Sequence, residues 1–366
     1  MRRLLPILIV ALLVPASAAQ AKVPRGWIGV SFGPDYVGKH SNFTAELRRM
    51  RKAGVGSARF AVYWARMQPQ GPQAPDFRSL DRIVAASAKA RLPLLPVVLG
   101  APRWATADMN RPVWVPRDPA TYASFMTALV QRYGAGGRFW QEHPQVRRFP
   151  IRAWQIWNEV SNPWYWNVNY AAEYPRTLRA AYDAVKAADP RALVIESGLN
   201  SGGSGTSWDA LDALYRQLDA QGLGRPFDEI AVHVYTKSVP DALKVVRRTR
   251  EVAARHGDAA RPIRVTELAW PAAKGKLRDE HGHKRDFFAA TTDKGMAKRL
   301  VKGLVLLASR RTKLGIAGVD WFQWASSYKG TADAFSYSGL RHAAHKRLTD
   351  KPAMKAFRRV ARRLRR

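Results

Sequence analysis

The sequence predicts an α/β chain folded as a single (β/α)8 TIM barrel. Three observations carry that expectation. The chain has 366 residues and 46% hydrophobic content, the size of one barrel and an ordinary globular composition. Short apolar runs alternate with helical patterns along its length, which is the rhythm of βα units on a parallel sheet. There are eight such runs, and eight strands with interleaved helices fit a closed barrel better than an open doubly wound sheet. No Gly-x-Gly-x-x-Gly follows the first run, which weakens a dinucleotide-binding alternative.

The elements follow in chain order. Residues 1–21 read as a secretory leader. Arg2 and Arg3 give a positive start, Leu4 to Pro15 a short apolar stretch. Ala16-Ser17-Ala18 and Ala19-Gln20-Ala21 then place cleavage after Ala18 or Ala21. The apolar stretch is shorter than the ~20 residues a membrane span needs, so an exported protein is expected. One domain follows over 22–361, with a basic tail over 358–366.

The expected strands are Trp27–Phe32, Ser57–Trp64, Leu92–Leu99, Ala153–Glu159, Leu193–Gly198, Glu229–Tyr235, Ile263–Glu267 and Val319–Trp324. Helices are expected between and after them. The first, Asn42–Lys52, has Asn42 as N-cap and stops before Gly54. Asp76–Ala90 follows, and then Pro119–Tyr133, opened by Asp118 with Pro119 in the first turn. Tyr170–Ala188 stops before Asp189-Pro190. Trp208–Gln221, Val239–His256 and Lys294–Arg310 come next, and Pro352–Arg363 closes the ring.

Composition narrows the chemistry. There is no cysteine, which excludes disulfides, thiolate nucleophiles and Cys-based metal sites within these residues. Lys and Arg number 61 against 28 Asp and Glu, a formal charge of +33. Loss of Arg2 and Arg3 with the leader lowers +33 to +31. Such a field attracts polyanions. Export points away from nucleic acid and toward anionic cell-wall polymers or acidic polysaccharides. A general basic drift of composition explains the same number without function.

In a (β/α)8 barrel the reacting groups sit at the C-terminal ends of strands. The fourth run ends Trp154-Gln155-Ile156-Trp157-Asn158-Glu159 and the seventh ends Ile263-Arg264-Val265-Thr266-Glu267. Strands four and seven face each other across an eight-stranded barrel. Two opposed carboxylates are what retaining glycoside hydrolysis uses, with the carboxyl groups about 5–5.5 Å apart. Glu159 is the candidate acid/base and Glu267 the candidate nucleophile. His233 and Tyr235 share one face of strand six, because side chains alternate. The Tyr235 hydroxyl, or the charge of Arg59 on strand two, would keep Glu267 ionised. Trp324 ends strand eight, and Trp104, Trp64, Trp164 and Trp166 fall in loops after strands three, two and four. Aromatic planes offer area to the apolar faces of sugar rings, and 13 Trp is many for this length.

These residues resemble clan A glycoside hydrolases, above all bacterial proteins similar to families 5 and 39. The resemblance covers most of the chain after the leader. It is strongest from Tyr122 to Asp189, through Arg132-Tyr133-Gly134, the Trp154–Glu159 run and Tyr165-Trp166. It implies the acid/base role for Glu159, a sugar 2-hydroxyl contact for Asn158 and the nucleophile role for Glu267, which lies 108 residues further on. It also implies supporting roles for Arg59, His233, Tyr235 and Trp324; Trp104, by its place in the loop after strand three, is a further candidate substrate contact. Where relatives carry Asn-Glu-Pro-Asn, this chain has Asn158-Glu159-Val160-Ser161-Asn162-Pro163. Leu268-Ala269-Trp270 replaces an aromatic-Gly stretch after Glu267. Both departures lie in loops that would contact substrate, so specificity is left open.

Other features read more simply. Glu196 ends strand five and reads as a buried ion pair or a rim contact rather than a further site carboxylate. His281-Gly282-His283 lacks a fixed third ligand and reads as a solvated loop. Ser201-Gly202-Gly203-Ser204-Gly205 lacks the Lys-Ser/Thr ending of a phosphate loop and reads as a rim loop. Nothing requires a metal or an organic cofactor. The expected partner is an oligo- or polysaccharide, neutral or uronate-containing. A non-catalytic carbohydrate- or wall-binding barrel is the alternative, and a monomer is expected from the charge.

Overall fold

The computed structural model describes residues 22–365, apart from 107, 108, 111, 112, 168, 202–204, 327–331, 345 and 346. The leader over 1–21 and the centre of the Ser201–Gly205 loop lie outside the described residues. Eight strands form one parallel sheet: β1 (Ile28–Ser31), β2 (Ser57–Tyr63), β3 (Leu94–Leu99), β4 (Ala153–Ile156), β5 (Leu193–Ile195), β6 (Ile230–Val234), β7 (Ile263–Leu268) and β8 (Ile316–Phe322). Their order is β5-β4-β3-β2-β1-β8-β7-β6. Isolated bridges Ile195↔Glu229 and Leu199↔Val232 join β5 to β6 and close the circle. The chain is a (β/α)8 barrel.

Eight helices ring it: α1 (Phe43–Ala53), α2 (Arg78–Ala90), α3 (Pro119–Tyr133), α4 (Tyr170–Ala188), α5 (Ser207–Ala220), α6 (Val239–Arg255), α7 (Asp293–Leu314) and α8 (Pro352–Arg365). Local chemistry sets their ends. Asn42 caps α1 by accepting from Ala45 N at 2.9 Å, and Asp118 caps α3 from Ala120 N at 2.9 Å. Gly315, at φ 63°, ends α7 in the left-handed conformation that glycine adopts without penalty. α7 therefore runs four residues past the expected Arg310, and β8 starts at Ile316 rather than Val319. The opposite correction applies at β4 and β5, which end at Ile156 and Ile195, short of Glu159 and Gly198.

Two ornaments escaped the sequence. The β7–α7 connection carries a hairpin of Leu277–Arg278 with Lys284–Arg285, and His281 and His283 sit exposed at its tip. The β8–α8 connection carries a small sheet of Ala325–Ser326, Arg341–Ala344 and Arg347–Asp350.

The barrel interior is layered. Leu95, Ile195 and Ala231 form a small apolar plug that packs with Ala153. Alternation along the strands then lifts Gln155 and His233 one layer above it, toward the open rim. Between barrel and helices lies the main core, rich in aromatics. Tyr122 on α3 and Tyr174 on α4 each donate a 2.7 Å bond to a strand-end carbonyl, Val98 O and Ile156 O. These bonds fasten the ends of β3 and β4, where the chain turns toward Glu159. Arg132, Tyr133 and Gly134 play an architectural part. Arg132 clasps Asp81 of α2 through two bonds of 2.8 and 2.6 Å, and the Tyr133 hydroxyl reaches the same carboxylate.

Glu196 is buried but meets no cation among the described residues, which corrects the expected ion pair. Its carboxyl accepts from Ala231 N (2.6 Å), Ser197 Oγ (3.0 Å) and Gly198 N (3.2 Å). Burial pushes it up to about 8 in spite of these bonds. A carboxyl raised in the folded state favours folding while protonated, and that contribution fades as pH rises through the folded value. Unfolding free energy is therefore expected to fall by up to about 1.4 kcal/mol per pH unit between pH 5 and 8 from this group. Urea titrations of wild type and Glu196→Gln across that window check it, the variant giving the flatter dependence.

Candidate active site

The site is assembled where β4, β6 and β7 open onto the rim. Past β4 the backbone leaves the sheet abruptly: Trp157 has φ 68° and Glu159 φ 43°. Side chains rarely occupy this left-handed region, and such outliers persist only where the surroundings impose them. Trp157 N donates to Val98 O (3.0 Å), Glu159 N to Ser197 O (2.8 Å), and Trp157 Nε1 to Tyr165 O (2.9 Å). Neighbouring strands on both sides thus hold the turn that presents Glu159.

Glu267 arrives by a different device. The pairing of β6 with β7 shifts register between Val232 and His233, so that Val232 faces Val265 but His233 faces Glu267. The extra residue is a bulge, which re-aims side chains. Arg264, three residues earlier, lines the floor of the barrel, and without the bulge it and Glu267 would point to opposite faces.

One cation joins the two halves. Arg59 is 4% exposed and uses its whole fork. Nη1 bonds Glu267 Oε1 at 2.6 Å, Nη2 bonds Asn158 Oδ1 at 2.8 Å, and Nε bonds Gln155 Oε1 at 2.8 Å. Nη2 also lies 3.4 Å from His233 Nε2. With the guanidinium donating there, the ring proton that faces Glu159 sits on Nδ1, 2.6 Å from Glu159 Oε1. The Tyr235 hydroxyl donates to Glu267 Oε2. Asn162 Nδ2 donates to Glu159 Oε2 at 3.0 Å. One ligand oxygen from each carboxylate and the His233 nitrogen lie within 4.8 Å of one another.

Burial pushes the Glu267 carboxyl up. The positive charges opposite it, on His233 when protonated and on Arg59 always, outweigh burial together with the bonds from Tyr235 and Arg59. The net direction is below the usual carboxylate value. Tyr235 goes the other way, driven well above the ordinary phenol value by burial and then by the charges of Glu267 and Glu159. It stays a donor. Tyr165, beside the pair, is raised by burial and then by the charges of Glu159 and Glu267.

Glu159, Glu267, Asn158, Arg59, His233 and Tyr235 come together. Trp324 and Trp104 do not, which corrects their expected role. Trp324 is fully buried, and its Nε1 donates to Glu46 Oε2 on α1 at 3.0 Å. It offers no face to a sugar. Trp104 donates to Gln68 O at 2.8 Å and meets Trp64 edge-on at 5.6 Å. The cleft it lines runs along the outer side of α3, with Thr121 and Ser124. Trp64, Trp157 and Trp166 belong to a buried aromatic pile with Phe125, Tyr122 and Tyr174. Their apolar bulk holds helices to strands. Trp164, 58% exposed, keeps an open face. The sequence reading missed Gln155, Asn162 and the aromatic wall of Phe322 and Phe335 against Tyr235 (6.4 and 4.6 Å between centroids). Gln155 alone had a visible signal, two residues before Trp157 on the inward face of β4.

No protein-family model matches the chain, and no curated protein does. Solved structures do match in fold. A family 39 glycoside hydrolase from Bacteroides cellulosilyticus aligns over 93% of this chain at 17% identity with TM-score 0.62, and this chain spans 64% of its length. A glucosidase from Croceicoccus marinus aligns over 93% of this chain and 68% of its own at 14% identity and TM-score 0.66. The GH53 catalytic domain of Ignisphaera aggregans aligns over 97% and 99% at 18% identity and TM-score 0.56. The chain thus has the (β/α)8 fold found in clan A glycoside hydrolases.

A side chain at Gly198 would intrude on this site. Gly198 has φ 74°, and a Cβ there would stand 2.4 Å from His233 Nε2 and 2.8 Å from Gln155 Nε2. Gly198→Ala is expected to lower stability by about 1–3 kcal/mol and to shift the His233 imidazole resonances. Denaturant unfolding and a histidine-resolved NMR spectrum check both.

Proposed function

We propose that this chain is a secreted retaining glycoside hydrolase that cleaves β-linked O-glycosidic bonds. One observation carries the reading: two carboxylates from opposed strands approach within 4.8 Å. That is close to the separation of a retaining pair and too close for the intervening water of an inverting one, at about 6.5–9.5 Å. The likeness in fold to a glucosidase and to glycoside hydrolases supports a carbohydrate substrate. The leader-like residues 1–21 support export.

The chemistry follows from the partners. Glu267, kept ionised by Arg59 and Tyr235, attacks the anomeric carbon. As the bond to the leaving oxygen breaks, Glu159 gives that oxygen its proton, and a glycosyl ester forms on Glu267. Water then loses a proton to Glu159 and attacks the same carbon, freeing Glu267 with the original anomeric configuration restored. His233 and Asn162 hold the two oxygens of Glu159 for both transfers. Arg59 occupies the Asn158 carboxamide oxygen, which leaves the amide nitrogen to donate to a sugar hydroxyl. Nothing in this sequence of steps needs a metal or organic cofactor. A non-catalytic sugar-binding barrel would have no use for a nucleophile so carefully held ionised.

Two outcomes are expected. Across a panel of aryl β-glycosides, Glu267→Gln abolishes turnover. Glu159→Ala slows substrates with poor leaving groups by about 10²–10⁴-fold and activated ones less. Proton NMR of the first product shows the retained anomer; an inverted product would sink the mechanism. The second concerns pH. Because Glu267 sits below the usual carboxylate value, the acid limb of kcat/KM should lie below the range in which an ordinary glutamate titrates. Tyr235→Phe removes a donor to the charged form and should move that limb to higher pH. A pH–rate profile of both proteins reads it.

A further inference from the structure

The positive charge is not spread evenly over the barrel. Helices α7, α8 and α1 are neighbours on the ring, and together they carry seventeen Lys and Arg against two acids, Asp293 and Glu46. The other five helices carry thirteen against eight. Of the two acids, Glu46 faces inward and is taken by Arg341 and Trp324. A compositional drift would charge all eight helices alike.

Between α1 and α8 this face is concave. A groove of about 490 Å³ is lined by Ala45, Arg48, Arg49, Lys52, Ala53 and Arg358. Arg49 lies 3.5 Å from Glu46 and Arg358 3.1 Å from Asp350, while Arg48 and Lys52 have no acidic partner among the described residues. Like charges crowd nearby. Arg365, at the end of α8, is lowered below its ordinary value first by burial and then by Arg51 and Arg25. This repulsion is present in the free protein, and a bound polyanion would relieve it.

We propose that the α1–α8 groove is a docking site for an acidic, uronate-bearing polysaccharide, separate from the catalytic rim. The identification of a glycan rests on the hydrolase reading given above. The groove's own chemistry selects against other polyanion carriers. It has no aromatic residue among its lining, and single-stranded nucleic acid is held by stacking platforms. The apolar residues of α8, among them Met354, Phe357, Val360 and Leu364, are buried against the barrel, so the helix has no apolar face to sink into a lipid interface. What the groove offers is a row of guanidinium and ammonium groups over a floor of two alanines, suited to carboxylates repeated along a chain.

The test uses the full chain carrying Glu267→Gln, so that no hydrolysis consumes the probe. Binding is measured by affinity electrophoresis on polygalacturonate, neutral β-mannan, single-stranded DNA and anionic vesicles. Polygalacturonate is expected to bind, with neutral mannan inert and affinity falling steeply between about 50 and 300 mM salt. Arg48→Ala/Arg49→Ala/Lys52→Ala should weaken it about tenfold or more. Removing three exposed cations from α6 (Lys244→Ala/Arg247→Ala/Arg248→Ala) should change it less than about twofold. The site is overturned if polygalacturonate fails to bind, if the groove variant binds as tightly as its parent, or if both triple variants weaken equally. Tighter binding of DNA or vesicles at the groove overturns the choice of occupant. Circular dichroism guards against unfolding. Turnover of small aryl glycosides, measured without the Glu267 substitution, should be the same with and without the groove changes. If the wild type turns over none, the hydrolase reading fails and the binding result still stands.

Discussion

Arg59 is the constraint on which the site depends. A guanidinium removed from water loses most of its hydration, and it persists in a barrel interior only if every donor finds an acceptor. Here the acceptors are Glu267, Asn158, Gln155 and, at longer range, His233. They come from β4, the turn after it, β6 and β7, so satisfying one cation fixes the relative positions of three strands. The charge that must be balanced for Arg59 to stay buried also holds the Glu267 carboxyl below its usual value. The bond that satisfies the cation is thus the one on which the proposed nucleophile role rests.

The neighbouring groups extend that logic. His233 stands between the carboxylates, and its ring orientation is decided by Arg59 on one nitrogen and Glu159 on the other. Gly198 leaves room for that ring, and the turn after β4 accepts two left-handed residues to bring Glu159 opposite it. The Trp-rich segments that suggest sugar binding serve chiefly to hold this turn. Trp64, Trp157 and Trp166 lie in a continuous buried pile between strands and helices. An aromatic residue that packs a core and one that stacks on a sugar have the same side chain, so sequence alone cannot separate them. Exposure separates them at once, and it leaves Trp164 and the Phe322–Phe335–Tyr235 wall beside the rim.

Charge is partitioned with equal clarity. The clustered carboxylates sit at one end of the barrel, where Arg59 is buried and paired. The surplus of Lys and Arg lies on the outer ring, on α7, α8 and α1. Paired and surplus charge thus occupy different surfaces of one barrel.

The sequence by itself determined the barrel, its eight helices and both carboxylates. Period-2 and period-3.6 patterns report which residues face a core, and a polar residue that ends an apolar strand is conspicuous. It also offered Arg59, Asn158, His233 and Tyr235 as candidates: strand alternation put His233 and Tyr235 on one face, Arg59 brought a charge on strand two, and the resemblance to clan A glycoside hydrolases supplied Asn158. Only the tertiary structure decided how they meet. The β7 bulge that aims Glu267, the left-handed turn that aims Glu159, and the contacts of Gln155 and Asn162 depend on pairing between strands far apart in the chain. Trp324 and Trp104 went astray for that reason: nothing local says that one indole would find Glu46 on α1 and the other the outer side of α3. The +33 total was legible from the first residue count. Its concentration on three adjacent helices was not, because ring closure is what makes α8 and α1 neighbours.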